Sequence, residues 1–493
     1  MKKTHFKYLV SIVMVFCLLM TGVAWANNQD FNEYELDYFK SVMEMIKENY
    51  SGEITIEELV EGALKGMFDT MDDYTVYYTK QEAESFFSDV SGSYKGIGIM
   101  FSKYGQEVVV VKVFDSSPAQ NAGIVAGDII VEVDDVDITS KSTDEIASLI
   151  RGEEGTKVVL GIRRKDSDKL KRVVVMRKEI KISPGEYSIE GDIGYIKLEV
   201  FNSNTSDFIS KALKEMDNNN IKKIILDLRD NPGGEVNQAV AVARKFVPKG
   251  LITRLEFKSE GLVNHEYKSY LAQTKYNVVV LVNEMSASAA EILAGAIQDT
   301  EAGVLVGTKT FGKAKVQNLF PILNEKAYRK YEKELGVSIV NGYELSTVHG
   351  ITPSDDEIIG WTKITTGRYY TPNGRMIDGV GIEPDIFVDN NTYDIDLRSI
   401  EKLRKTVKPE LNSESVDVYN AKKILKLSGY EVGDLDMLMD GKTFKSVAAF
   451  QKDEGLFPYG VLDFATQRAL NKKLDELSYG FDRQYLKAVE ILK

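Results

Sequence analysis

Residues Val278 to Gln317 read VVVLVNEMSASAAEILAGAIQDTEAGVLVGTKTFGKAKVQ, and the rest of the chain is organised around them. Val278 to Val282 is short, wholly apolar and rich in β-branched residues, which predicts a strand buried on both faces. Asn283, Glu284 and Met285 interrupt it, and the small and apolar residues from Ala287 to Ile297 suit a helix. Ser288 therefore falls where a buried strand turns into a helix, beside free backbone N–H groups and the positive end of the helix dipole. A developing oxyanion would be stabilised there. Read alone, Ser286 and Ser288 are helix caps, since serine is a favoured N-cap. A second apolar run, Val304 to Val306, leads to Lys313 and Lys315, and a lysine near a serine suggests nucleophilic catalysis in which a neutral amine accepts the hydroxyl proton.

Composition frames this reading. The chain has 493 residues, 43% of them hydrophobic, which is enough for about three or four domains. Residues 1–26 carry lysines at 2, 3 and 7, an apolar stretch from Tyr8 to Met20 and the sequence Ala24-Trp25-Ala26, a pattern that predicts a signal peptide. An uncleaved anchor is the alternative. The single cysteine, Cys17, lies in this segment, so a processed chain would hold neither a disulfide nor a thiol nucleophile. Processing would remove three lysines and no acid, taking the formal charge from −13 to −16. Such acidity does not suggest nucleic acid as a partner. The histidines are His5, His265 and His349, with no HExxH, His/Cys cluster or phosphate-binding GxxxxGK[ST] loop. No metal site and no cofactor are expected.

Leu36, Phe39, Met43, Ile46 and Tyr50 recur at helical spacing, as do Ile56, Leu59, Val60, Ala63, Leu64 and Met67. Two amphipathic helices of this kind suggest docking or homodimerisation. From Ser91 to about Glu179 the chain changes to short strands and glycine-marked turns. There SSPAQNAG, GDIIVEV and the KGIGI loop resemble a PDZ domain. That resemblance implies that the backbone N–H groups of Gly96, Ile97, Gly98 and Ile99 receive a peptide C-terminal carboxylate while the peptide adds a strand. Next come GDIGYIKLEVF, a helix near Asp207 to Met216, and IILDLRDNPGG, a buried strand ending in a glycine turn.

The order of these parts, closing on ITTGRYYTPNGRMIDGVGIEPDI, resembles the carboxyl-terminal processing (tail-specific) protease family of S41-type serine peptidases over roughly residues 31–388. The resemblance implies a serine endopeptidase with a crotonase-like α/β core that cuts proteins near exposed C-terminal tails. It places the nucleophile at Ser288 rather than Ser286, the general base at Lys313, its orienting partner at Gln317, and the oxyanion hole at the N–H groups of Ala289 and of Gly234 or Gly233. Lysine is a base only when neutral, so Lys313 must be desolvated or lie near other cations. On a straight strand Lys313 and Gln317 would stand about 13 Å apart. A bend at Lys313 to Lys315 is therefore expected.

Residues 322–361 are an insertion relative to that family and read as a lid, an exosite or a surface elaboration, the last being favoured. Residues 391–415 read as a linker. Val416 to Leu474 resembles the peptidoglycan-binding domain of cell-wall enzymes through its LSGY, MDGKTF, AAFQ and GVLDFAT elements. The expected architecture is a multidomain α+β protein. It comprises a signal peptide (1–26), an N-terminal helical segment (27–88), a PDZ domain (89–180), the peptidase core (181–390), the linker, a small all-α domain (416–475) and a tail (476–493). The expected setting is secreted or cell-envelope associated, with peptidoglycan a candidate partner. The competing reading is a catalytically silent scaffold that binds peptide tails and wall polymer.

Overall fold

A computed structural model describes residues 33–164, 167–259, 261–389, 395 and 399–493. The expected signal peptide lies outside them. No helix of the described residues is long and apolar enough to cross a membrane.

The described residues divide into two compact units, one up to Thr79 and one from Lys80 onward. In the first, helices Glu33–Asn49 and Ile56–Phe68 match the expected amphipathic pair. Thr55 and Glu58 form a reciprocal capping box that starts the second helix. Tyr34, Leu36, Tyr38, Phe39, Met45 and Tyr50 all remain exposed.

The second unit is built on a six-stranded sheet ordered Gly185–Glu190, Ile193–Leu198, Lys223–Asp227, Asn277–Val282, Gly303–Gly307 and Ile386–Phe387. Its first pair is antiparallel and the others are parallel. Strand periodicity splits the central strand between two cores. Val278, Val280 and Val282 pack with helices Thr205–Asn218, Val236–Phe246 and Ala289–Asp299, whereas Val279 and Leu281 pack with Ile225, Val306, Ala488 and Leu492. The second face is thus covered by the chain's last helix, Arg483–Leu492. Residues 476–493 were expected to be a tail. Their spacing of Tyr485, Ala488, Val489 and Leu492 is amphipathic, and tertiary packing supplies the face it needs.

A second sheet pairs the long strand Ile358–Tyr370 with Lys315–Leu323 on one side and with Gly250–Phe257 and then His265–Ser269 on the other. Between its two longest strands, the insertion folds into helices Glu325–Leu335 and Gly342–His349 over a small core of Leu323, Ala327, Tyr331, Ile339 and Leu345.

The PDZ-like region is entered and left through a two-stranded neck in which Ser93–Gly96 pairs antiparallel with Lys178–Lys181. Its barrel strands run from Ile99 to Met176 and its helix is Thr143–Ile150, around a core that includes Ile97, Val108, Ile130, Ile146 and Leu160. Toward the C-terminus, helices Val416–Leu427, Gly441–Asp453 and Phe464–Phe481 form the small helical domain. Ile400 and Leu403 are buried in its core, so the expected linker is in part structural. Its polar composition concealed a few well-spaced apolar anchors.

Candidate active site

The site forms where two strand ends of the central sheet are stitched together. After Asp227 the chain turns through Leu228 to Gly234, and after Val282 it turns through Asn283 to Ser288. Asn283 accepts the Asp230 N–H at 2.9 Å and donates its side-chain N–H to the Asp230 carboxylate at 2.8 Å. The Ala287 N–H donates to the Asn231 carbonyl at 2.9 Å. Ser286, fully buried, donates to the Leu228 carbonyl at 2.8 Å and accepts the Asn283 N–H at 3.0 Å. Its hydroxyl is therefore committed to joining the two turns.

Ser288 is only half-buried and sits at φ 55°, ψ −115°, immediately before helix Ala289–Asp299. Positive φ in a non-glycine residue costs about 1–3 kcal/mol and is held only where the surroundings over-determine it. Here the tight turn lifts the hydroxyl to the helix N-terminus. Gly233 packs directly under it: a Cβ there would stand 2.8 Å from Ser288 Cβ and 2.9 Å from Ala289 N. The Gly233 N–H donates to Asn231 Oδ1 at 2.8 Å. Gly234 has no acceptor for its N–H among the described residues, and Ala289, first in its helix, has no intrahelical one. Of the two glycines left open by the sequence, Gly234 is the one with a donor to offer.

Lys313 lies outside any strand. Gly312 before it has φ 88°, and the strand begins only at Lys315, with a bulge between Val316 and Gln317. The segment from Lys313 to Gln317 is therefore not a straight strand, as its expected bend requires. The Gln317 side-chain N–H donates to Thr365 Oγ1 at 3.1 Å. Lys315 enters the sheet opposite Arg368.

Glu291 joins the serine and lysine segments, and the sequence reading missed it. Glu291 is fully buried and accepts four hydrogen bonds: Ser288 N–H at 2.9 Å, Lys313 N–H at 2.9 Å, Gly312 N–H at 2.7 Å and Thr310 Oγ1 at 2.6 Å. Burial nonetheless pushes its carboxyl above the usual range, against those four donors. The signal was present in the sequence, because a glutamate three residues after a serine at a helix start is the capping-box spacing. Nothing in it announced that the same carboxylate also reaches residues 310–313.

Of the other candidates, His265 stacks edge-on against Tyr267 at 4.3 Å, in an exposed strand, and His349 ends an insertion helix. In the PDZ-like loop, Gly98 has φ 81°, and a Cβ there would stand 2.4 Å from Ser117 Cβ, so only glycine fits. Its carbonyl accepts the Phe114 N–H and that of Ile97 accepts the Ala119 N–H, which pins the loop.

The sequence signature of peptidase family S41 matches residues 192–388, the segment that contains this site. The chain carries an S41-type peptidase domain, which makes it a serine peptidase. Further signatures match a PDZ domain at 109–164, the N-terminal domain of the activating protease CtpB at 21–82, and a putative peptidoglycan binding domain at 414–470. A carboxy-terminal-processing protease of Bartonella bacilliformis is 29% identical, over 83% of this chain and 88% of the relative. A probable CtpA-like serine protease of Staphylococcus aureus is 28% identical, over 98% of this chain and 90% of the relative. Among solved structures, a photosystem II D1 C-terminal processing protease aligns with a TM-score of 0.38 at 24% identity, covering 73% of this chain and 89% of that one. The S41 match spans five of the six strands of the central sheet, from Ile193–Leu198 to Ile386–Phe387, and both turns that build the site.

Proposed function

We propose that this peptidase cleaves proteins near exposed C-terminal tails by a Ser288/Lys313 mechanism. The observation that carries the reading is the convergence of the serine turn and the lysine loop on one carboxylate, Glu291. Ser288 Oγ attacks the scissile carbonyl carbon while neutral Lys313 Nζ takes its proton. The carbonyl oxygen becomes an oxyanion, received by the N–H groups of Ala289 and Gly234. The C–N bond then breaks, the leaving amine takes the proton from Lys313, and an acyl ester remains on Ser288. Water, deprotonated by Lys313, hydrolyses that ester and restores the serine. Gln317 acts as the orienting partner of Lys313.

Residues 89–180 are assigned as a PDZ unit that gates access, receiving the tail carboxylate at Gly96 to Ile99. Residues 181–390 form the core and 416–475 a wall-binding module for peptidoglycan. The N-terminal helices, with their exposed aromatic and aliphatic side chains, are a candidate homodimer surface. The homology to carboxy-terminal-processing proteases and the peptidoglycan-binding signature support an extracytoplasmic setting.

The test is cleavage of a protein with a flexible C-terminal tail, with product termini sequenced. Ser288→Ala and Lys313→Ala should each lower kcat by more than 10³-fold while tail binding persists. If both variants cut at the wild-type rate, the dyad is wrong. A scaffold that only binds would show tail binding without cleavage in the unaltered protein as well.

A further inference from the structure

Among the buried hydroxyls that the proposed chemistry leaves unused is that of Tyr369. Tyr369, 1% exposed, lies near the end of strand Ile358–Tyr370, and its N–H donates to the Ala314 carbonyl at 3.0 Å. Its phenol oxygen stands 2.7 Å from the Lys313 carbonyl oxygen and 3.0 Å from the Ser288 carbonyl oxygen. A protonated hydroxyl can donate to either carbonyl or be shared between them. Glu291 does the converse, accepting the N–H of each of the same two residues.

We propose that Tyr369 is a positioning residue that, opposite Glu291, closes a clasp around Ser288 and Lys313, holding both residues by their carbonyls as the carboxylate holds them by their N–H groups. This rests on the Ser288/Lys313 reading. Regular structure holds each residue only in part: Ser288 is a positive-φ residue whose carbonyl accepts the Ile292 N–H at 3.0 Å, the first bond of its helix, and Lys313 precedes its strand. A lysine side chain is long and flexible, so the place of its amine depends first on where its backbone is fixed. Catalysis between two such residues is sensitive to displacements of about 1 Å. Asp378 Oδ1 adds a third tie, accepting the Ala314 N–H at 3.1 Å. Burial, followed by the negative charges of Glu291 and Asp378, pushes the Tyr369 hydroxyl well above its ordinary range, so it remains a donor.

The experiment uses the full chain with a tail-bearing protein substrate and a fluorophosphonate probe that labels an activated serine. Tyr369→Phe keeps the ring and removes only the hydroxyl. We expect kcat and the labelling rate to fall together by at least 10-fold, with KM within 2-fold and the thermal midpoint within a few degrees of the parent. Glu291→Gln, which turns an NH₂ group toward one pair of donors, should lower the same two rates further and also spare KM. Should Tyr369→Phe fail to fold, Glu291→Gln decides by the same kcat-against-KM split. Either folded variant with unchanged kcat and labelling rate overturns the clasp. That failure is distinct from failure of the dyad, in which Ser288→Ala and Lys313→Ala would themselves continue to cleave.

Discussion

Arg229 and Asp482 form an ion pair at 2.7 Å across 253 residues of sequence, joining the turn that leads to Gly233 and Gly234 to the first residue before the final helix. Arg229 also binds Asp227, which is 1% exposed and accepts the Tyr195 hydroxyl at 2.8 Å, and it donates to Gln484 at 3.1 Å. Burial alone would raise the Asp227 carboxyl, but Arg229 and Tyr195 outweigh it and hold it below the usual range.

Removing one partner of such a group leaves an uncompensated buried charge. Arg229→Ala should therefore destabilise the protein by about 3–5 kcal/mol. Denaturant unfolding measures this, and Arg229→Ala combined with Asp227→Asn should recover part of the loss. An additive double variant would show that the pair is not coupled.

Ser286 and Ser288 should separate by their effects. Ser286→Ala strips a donor from the Leu228 carbonyl and an acceptor from the Asn283 N–H, at a cost of about 1–3 kcal/mol. Its cleavage rate, measured on folded protein, should stay within 10-fold of the parent. Ser288→Ala should barely move stability and should abolish cleavage. The opposite pattern would make Ser286 the nucleophile.

Gly233→Ala places a Cβ 2.8 Å from the Ala287 carbonyl oxygen and 2.8 Å from Ser288 Cβ, at a φ of 103°. The serine turn must shift, and kcat should drop by about 10²-fold or more, as when an oxyanion donor is lost. Gly350→Ala is the control. It also has positive φ, 70°, but a Cβ there meets nothing within 4 Å, so it should cost roughly 1–2 kcal/mol and leave kcat unchanged.

The insertion should be acid-sensitive. Lys330, the Ser354 N–H and Tyr331 hold the Glu357 carboxyl down from 4.5 to about 2. A depressed folded-state value means that the stabilisation is complete above pH 4.5 and is lost as pH falls toward 2. Amide exchange in helices 325–335 and 342–349 should quicken between pH 5 and pH 3 relative to the S41 core. Glu357→Gln should show fast exchange already at pH 5 and little further change.

Local pattern made much of this legible. The apolar run Val278 to Val282, the break at Asn283 and the small-residue helix after it read directly as a buried strand, a turn and a helix, because periodicity and propensity act within a few residues. The N-terminal helices were legible for the same reason, whereas the PDZ-like region, the C-terminal helical domain and the choice of Ser288 and Lys313 as candidates rested on resemblance to known motifs. What covers the second face of the central strand was not legible. A two-faced apolar strand requires a partner on each side, but it does not say that Ala488 and Leu492, some two hundred residues further on, supply one. The four-donor environment of Glu291 and the reach of Tyr369 to two carbonyls were equally hidden. Side-chain type establishes what a group can donate or accept, and only the closing of the sheets brings those particular peptide groups within about 3 Å of it. The sequence by itself determined most of the elements, their order and the candidate groups for the chemistry. The tertiary structure decided which backbone atoms hold them, since that depends on contacts between segments far apart in the chain.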